Sequence, residues 1–225
     1  NKLLIIFLLI LFSCGHESMK QRQSVKIKDS VPEVRTDSAY PGHETFNWDW
    51  KRPTEKIILS SSITKYIKKG QEPIDTFSGD INNDKILDLI LVTGIIGEDS
   101  LRFSGIDLPR ELLVFAGQRN NSYKFLFKNP NAIPCGNCCG MSDPYGGMTV
   151  KLGQIIINEY CASNWKSISE YRFSYNTRLS DWLLDTVITE SYAFDHKYYT
   201  LDTTTKKDFG EKSLRYFIMY KDEEK

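Results

Sequence analysis

Residues 79–93 read GDINNDKILDLILVT, and the last five of them, LILVT, form an unbroken apolar run. A short apolar run that is rich in branched side chains and bounded by turn-forming residues is typical of a β-strand. The polar half before it carries Asp or Asn at positions 80, 82, 84 and 88, which is typical of a tight turn. The stretch therefore predicts a polar loop that leads directly into a strand.

The rest of the chain repeats this strand pattern. The other runs are short, rich in β-branched and aromatic residues, and bounded by Gly, Asn, Asp or Pro. They are LLVFA (112–116), SYKFLF (122–127), MTVKL (148–152), QIIINEY (154–160), SISEYRFSY (167–175), WLLDTVITESYAF (182–194) and LRYFIMY (214–220). Gly153 and the residues 118–121, QRNN, look like hairpin connections. Only residues 60–69, SSSITKYIKK, suggest a helix. We therefore expect a mainly β fold, an antiparallel sheet or sandwich of successive hairpins with little helix.

The N-terminus has the pattern of an export signal. Lys2 precedes ten apolar residues, 3–12, which is too short to span a bilayer but within the range of a secretory h-region. The end of this run, Leu-Phe-Ser-Cys14, resembles the lipobox of bacterial lipoproteins. That resemblance implies a signal peptide over residues 1–13 and acyl chains, such as palmitate, on Cys14, which would anchor the protein to a membrane. The alternative is an ordinary cleaved signal followed by a chance cysteine.

Three regions follow from composition. After the signal peptide, residues 14–45 are polar and weakly patterned, and we expect a flexible tether there because such a segment buries too little apolar surface to offset its ordering entropy. Residues 46–221 are expected to form a single β-rich domain.

The chain has 29 basic and 29 acidic residues. Without a basic excess, nucleic acid is not an expected partner.

The polar loop has the spacing of a calcium site. Counted from Asp80, Asn82 stands at position three, Asp84 at five, Ile86 at seven and Asp88 at nine. An EF-hand type of loop takes side-chain oxygens at positions one, three and five, a backbone carbonyl at seven and often a water-mediated ligand at nine. The alternative is a turn in which these side chains bond only their own backbone.

The same loop resembles the D-x-N-x-D-x-x-x-D-L segments of FG-GAP and VCBS repeat proteins. By that resemblance Asp80, Asn82, Asp84 and Asp88 supply side-chain ligands to a structural calcium ion, and the carbonyl of Ile86 completes the set. The sequence departs from the calcium-loop pattern in two places. Lys85 stands where glycine normally makes the sharp turn, and Leu91 stands where a bidentate Glu is usual. A weak site is therefore expected, with a dissociation constant on the order of 10⁻⁴ to 10⁻³ M.

Most of residues 57–195 resembles small secreted or lipidated FG-GAP-like proteins of bacteria of the Bacteroidetes type. The shared features are one calcium-loop-like segment and a Gly-rich turn, here CGMSDPYGG at 139–147, that leads into a hairpin. The resemblance implies fold and location, and it implies no biochemical activity.

Four cysteines remain if Cys14 carries lipid, namely Cys135, Cys138, Cys139 and Cys161. Export favours disulfides. Pairing of the two adjacent cysteines is strained, which leaves 135–138 with 139–161, or 135–139 with 138–161. A Cys₄ zinc site and a C-x-x-C redox site are the alternatives, although the spacing and the surrounding glycines fit neither well.

No catalytic residues are predicted. The sequence lacks G-x-S-x-G, H-E-x-x-H and phosphate-cradling glycine motifs. Asp195-His196 looks like a polar turn, and Trp48-Asp49-Trp50 looks like a strand that packs on the core. We therefore expect a non-catalytic binding or accessory module, exported and lipid-anchored at the cell envelope, with an envelope protein or glycan as a possible partner. The alternatives are an envelope hydrolase acting on glycan or peptide, and an immunity or inhibitor protein that acts by surface complementarity.

Overall fold

In the computed structural model, which describes residues 51–139, 142–193 and 199–220, the LILVT run lies in a central strand of the first of two sheets. That sheet contains β1 (Gln71–Gly79), β2 (Asp88–Ile95), β3 (Glu111–Gly117) and β4 (Tyr123–Asn129), in this order. The second sheet contains β5 (Tyr145–Lys151), β6 (Gln154–Ala162), β7 (Trp165–Asn176), β8 (Asp181–Ala193) and β9 (Tyr199–Thr205). Each strand pairs antiparallel with its neighbours, so the prediction of a mainly β fold of successive hairpins is confirmed.

The helices are short. They are α1 (Ser61–Thr64), α2 (Glu98–Leu101), α3 (Lys206–Phe209) and a 3-10 helix, Leu214–Tyr216. The predicted helix at 60–69 is thus reduced to a single turn. Within the described ranges, no helix has the length and the apolar character that crossing a membrane requires.

The unbroken apolar run of β2 arises because both faces of this strand are covered. Ile90 and Val92 face the core between the two sheets, whereas Leu89 and Leu91 face a second cluster on the outer side of the first sheet. Side chains alternate between faces along a strand, so a strand without a polar face must be buried on both sides. Residues 59–67, which include α1, cover the outer face.

The predicted hairpin turns are confirmed. Lys151 pairs with Gln154, and Gly153 takes a positive φ of 68° in the tight turn between β5 and β6. In the turn between β3 and β4, the backbone N–H of Asn121 donates to the carbonyl of Gln118, and Asn121 is also left-handed.

The predicted strand at 214–220 is wrong. These residues begin with the 3-10 helix, and the buried Asn129 explains why. Its side-chain amide donates to the carbonyls of Leu214 at 2.7 Å and Phe217 at 2.8 Å, which removes both acceptors from any strand ladder. Leu214, Phe217 and Met219 of this segment pack on the core between the sheets all the same.

The ends of β2 carry the two regions of functional interest. The predicted calcium loop joins β1 to β2, and residues 96–108, hereafter the presenting loop, follow β2 at its other end. A strand of this length separates the two regions by about 25 Å.

Candidate functional site

The acidic loop, residues 80–88, is folded around its own backbone N–H groups. The Asp80 carboxylate accepts the backbone N–H groups of Asp84 at 3.1 Å and Lys85 at 2.9 Å. Asp84 in turn accepts the backbone N–H of Ile86 at 2.8 Å, and the Asn82 side chain accepts that of Asp84 at 2.9 Å. These contacts draw the polar side chains toward the inside of one tight bend.

The bend requires left-handed backbone at two positions. Asn83 has φ 64° and Lys85 has φ 68°. Asn adopts this conformation readily, whereas a long unbranched side chain does so at some cost. Lys85 therefore makes the turn that glycine makes in the pattern the sequence resembles, and it does so with strain.

Asp88 is the buried member of the loop. It is 1% exposed, and its carboxylate accepts the N–H of Ile81 at 3.0 Å and the N–H of Gly117 at 2.8 Å. The pKa of Asp88 is raised from 3.8 to about 6. Burial is the largest cause, the two backbone bonds oppose it, and the negative charges of Asp84 and Asp80 act in the same direction as burial. The loop therefore concentrates negative charge that its own contacts do not fully compensate.

The chemical types of the side-chain and backbone groups in the acidic loop are those that bind calcium. Three carboxylates, an amide and a carbonyl are the hard oxygen ligands that calcium prefers. In the arrangement described, the carboxylates are turned toward backbone N–H groups, and within residues 51–139, 142–193 and 199–220 no three His, Cys, Asp or Glu side chains form a metal-binding group. The structure thus shows the local backbone bonding that the alternative predicts, and calcium stays a prediction.

The acidic loop also joins the two sheets. Ile81 is fully buried, and its carbonyl accepts the indole N–H of Trp182 on β8 at 2.6 Å. The carbonyl of Asp80 accepts the N–H of Gly153 from the turn between β5 and β6 at 2.9 Å. Any ion bound here would therefore stabilise the joint between the sheets.

The cysteines form the first of the two preferred pairings. Cys135 is bonded to Cys138 and Cys139 to Cys161, with Cα–Cα distances of 5.2 Å and 5.4 Å. The second bond ties residues 135–139, hereafter the cystine loop, to the end of β6.

A closed ring of alternating charges, which the sequence did not suggest, lies at the other end of β2. Each acidic member binds two arginines, and each arginine binds two acidic members. In order around the ring they are Arg110, Glu98, Arg52, Asp99, Arg102 and Asp143. These residues come from four separate places: the chain before α1, the presenting loop, the residue directly before β3, and the approach to β5. We call this set the charge ring.

Arg110 is the buried anchor of the charge ring. Its side chain is 0% exposed and binds both oxygens of Asp143, at 2.7 Å and 2.6 Å, while its Nε donates to Glu98 at 3.0 Å. Burial alone would lower the pKa of this guanidinium, but the bonds and charges of Asp143 and then Glu98 outweigh it and raise the pKa above its ordinary value. Arg110 is therefore held charged inside the protein.

The charge ring borders a cleft of about 260 Å³. Its lining residues combine ring members with tyrosines and a lysine: Lys51, Arg52, Asp99, Arg102, Asp143, Tyr145, Gly146 and Tyr160. Arg102 is 23% exposed, and its contacts among the described residues are those of Nη2 with Asp99 at 3.4 Å and Asp143 at 3.3 Å. The outer part of the ring is thus looser than the buried part around Arg110.

The presenting loop, which contributes Glu98, Asp99 and Arg102 to the charge ring, also carries exposed apolar side chains. Phe103 is 81% exposed, and Ile96 and Ile106 are 58% and 51% exposed. The loop is tied to the cystine loop, since the Asn137 side chain donates to the carbonyl of Ile106 at 2.8 Å and the N–H of Gly136 donates to that of Leu108 at 2.9 Å. Disulfides, hydrogen bonds and ion pairs thus hold apolar groups out toward solvent.

Several sequence predictions lie outside the described residues. They are the lipidation of Cys14, the signal peptide, the tether, the Trp48-Asp49-Trp50 segment and the Asp195-His196 pair. For the charge ring, the only sequence signal is that Glu98 and Asp99 precede Arg102 by four and three residues. That spacing is common on exposed helices and does not single out a site.

Neither a family model, nor a curated protein, nor a solved structure matches this chain. The resemblance to FG-GAP and VCBS proteins therefore remains a prediction.

Proposed function

We propose that the protein is a non-catalytic, lipid-anchored binding module of the bacterial cell envelope, and that the presenting loop contacts its partner. The observation that carries the proposal is the 81% exposure of Phe103 in a loop that the charge ring and the cystine loop hold in place. Aromatic residues are enriched at protein–protein interfaces, and contiguous exposed apolar groups rimmed by polar residues mark interaction sites.

Rigidity is the physical reason why this loop suits binding. A flexible loop loses conformational entropy when a partner orders it, about 0.5–1.5 kcal/mol for each side chain immobilised. Here α2 is fixed by Glu98 and Asp99 within the charge ring, and Ile106 by the bond from Asn137. Much of the ordering is therefore complete before the partner arrives.

A protein partner fits the presenting loop better than a glycan. Its exposed side chains are Phe and Ile, which gain by burial against other apolar groups. The same features suit the inhibitor alternative, since an inhibitor also works by presenting a braced loop. The cleft does not favour the hydrolase alternative, because its two carboxylates, Asp99 and Asp143, are each bound by two arginines.

In this proposal calcium has a structural role at the acidic loop. Asp80, Asn82, Asp84 and Asp88 with the Ile86 carbonyl would hold the ion, whose positive charge would favour the ionised form of the Asp88 carboxylate, a group whose pKa is raised mainly by burial and further by Asp84 and Asp80. At about 1 mM calcium and a dissociation constant of roughly 0.1 mM, binding adds about 1.4 kcal/mol to stability. The ion would act on the joint between the sheets, about 25 Å from the presenting loop.

The membrane anchor in this proposal is the acylated Cys14, with residues 14–45 as the tether. Changing Cys14 to Ser should move the protein from the membrane fraction to the soluble fraction. Retention of that variant in the membrane fraction would argue against the anchor and leave the binding proposal to its own test.

Site-specific photocross-linking tests the binding proposal. A benzophenone amino acid replaces Phe103 in the intact chain, in cells that make the protein. The matched control carries the same group at Leu152, which is 75% exposed in the turn between β5 and β6, at the opposite end of β5 from the cleft residue Tyr145. We expect a discrete protein adduct from position 103 and none from position 152.

A second variant separates recognition from chance proximity. With the benzophenone group at Ile106, a Phe103→Asp change should reduce the adduct at least fivefold, because a charge replaces the central apolar contact. Equal adducts from positions 103 and 152, or no adduct from position 103, would refute the proposal.

A further inference from the structure

The cleft beside the charge ring has one positive charge in excess. The charges of the three arginines and the three carboxylates in the ring sum to zero. Lys51 also lines the cleft, and it has no hydrogen-bond or ion-pair partner within the described residues. The cleft as a whole therefore carries a net charge close to one positive unit.

Two residues that line the cleft, Arg102 and Lys51, have side-chain donors without an acceptor among the described residues. A guanidinium has five N–H donors, and those of Arg110 are directed at Glu98, Asp143 and the carbonyl of Pro134. Arg102 binds only through Nη2, so its Nε and Nη1 donors have no acceptor among the residues that the structure describes. Together with the ammonium of Lys51, they form a group of donors that has no acceptor in the part of the chain that the structure describes.

We infer that the cleft receives a single carboxylate from the partner segment that packs on Phe103. This inference rests on the proposed function and names the chemistry of the partner: an acidic side chain or a chain terminus next to an apolar residue. Arg102 and Lys51 bind the carboxylate, while Phe103, which follows Arg102 directly, contacts the apolar neighbour. A cleft of about 260 Å³ has room for one such side chain.

The charge of the lining favours a carboxylate over a phosphate. A monoanion neutralises the excess of one positive charge. A dianion would leave a negative charge near Asp99 and Asp143, which line the same cleft. The site thus discriminates by charge.

The test titrates the intact chain with N-acetylleucinate and, as the matched neutral probe, N-acetylleucinamide. NMR follows the backbone amide of Gly146 and the side-chain Nε–H of Arg102, both at the cleft. We expect saturable shifts with the carboxylate at millimolar concentration and at least tenfold weaker binding of the amide. Lys51→Gln, which leaves the charge ring intact, should weaken carboxylate binding about fivefold. Lys124→Gln, an exposed lysine on β4, should leave it unchanged.

Three results would overturn the inference: equal binding of both probes, no binding of either, or tighter binding of inorganic phosphate than of the carboxylate. The cross-linking result at position 103 is independent of this titration. If the carboxylate fails to bind while Phe103 still cross-links, only this inference is refuted. If the carboxylate binds without a cross-link, the proposed function is refuted and the anion site stands.

Discussion

Replacing Arg110 by Met should destabilise the protein more than any other single change within the charge ring. Met fills much of the same space, so the change removes charge and hydrogen bonds with little loss of packing against the Tyr145 ring, whose centroid lies 5.8 Å from the guanidinium carbon. What remains is Glu98, 1% exposed, and Asp143, 15% exposed, without their shared cation.

The expected loss is about 3–5 kcal/mol, the usual cost of leaving one member of a buried ion pair without its partner. Arg52 still reaches Glu98 and Arg102 still reaches Asp143, which places the estimate toward the lower end. For a domain of this size, about 3 kcal/mol corresponds to a decrease in Tm of roughly 6–12 °C. Domains are stable by about 5–15 kcal/mol in total, so the variant should still fold.

Urea unfolding followed by circular dichroism measures the loss. The matched control is Lys206→Met, whose partner Glu211 lies 2.8 Å away with both side chains more than half exposed, and it should cost less than about 1 kcal/mol. Adding Glu98→Gln to Arg110→Met should recover part of the loss, because the orphaned negative charge is gone. An Arg110→Met variant within about 1 kcal/mol of the original protein would refute the view that the ring fixes the presenting loop.

Three further predictions concern the acidic loop and the disulfides. Chelation of calcium should lower Tm by about 3–6 °C, and Asp84→Ala should abolish this difference whereas Asp202→Ala on exposed β9 should not. The pKa of Asp88 is about 6 in the folded state and 3.8 ordinarily, so in chelator its contribution to stability should fall as pH rises from about 4 to 6. The free energy of unfolding, compared between the original protein and Asp88→Asn across this range, should reveal a difference of up to about 3 kcal/mol. Cys139→Ser should cost about 3 kcal/mol and Cys135→Ser about 2, because the first opens the longer loop, with a sequence separation of 22 against 3.

Each of these three predictions can be refuted by a specific result. If chelator leaves Tm unchanged, the acidic loop does not bind calcium. Parallel pH profiles for the original protein and the Asp88 variant would show that burial does not raise that pKa. A larger loss from opening the shorter disulfide would mean that the longer bridge does not constrain the unfolded chain.

The strands that could be predicted from the sequence are those whose own residues have the apolar composition typical of a strand. β2, β3 and β6 are buried along most of their length, so their sequences are rich in apolar residues, and this composition predicts them. β1 and β9 were not predicted. β1 includes Pro73 and two acidic residues, and β9 consists mostly of exposed polar residues, so each depends on pairing with a neighbour, β2 or β8. Tertiary pairing overrides local propensity in both.

The acidic loop could be found from the sequence because its contacts are local. Asp80 bonds Asp84 and Lys85, four and five residues away, and a spacing pattern captures such bonds. The bond from Gly117 to Asp88 and the bond from Trp182 to Ile81 could not be found in this way. They make the loop a joint between the sheets, and they exist only once the sheets have packed.

The charge ring could not be predicted from the sequence. Arg52 and Asp143 are 91 positions apart in the chain, and nothing near either one distinguishes it from an ordinary surface charge. Their roles follow from burial, because Arg110 enters the protein interior only where acidic groups from two other segments meet it. A buried arginine thus dictates which distant carboxylates must converge, and the exposed arginines then share those carboxylates to close the ring. The presenting loop is held because two of the three shared carboxylates, Glu98 and Asp99, belong to it.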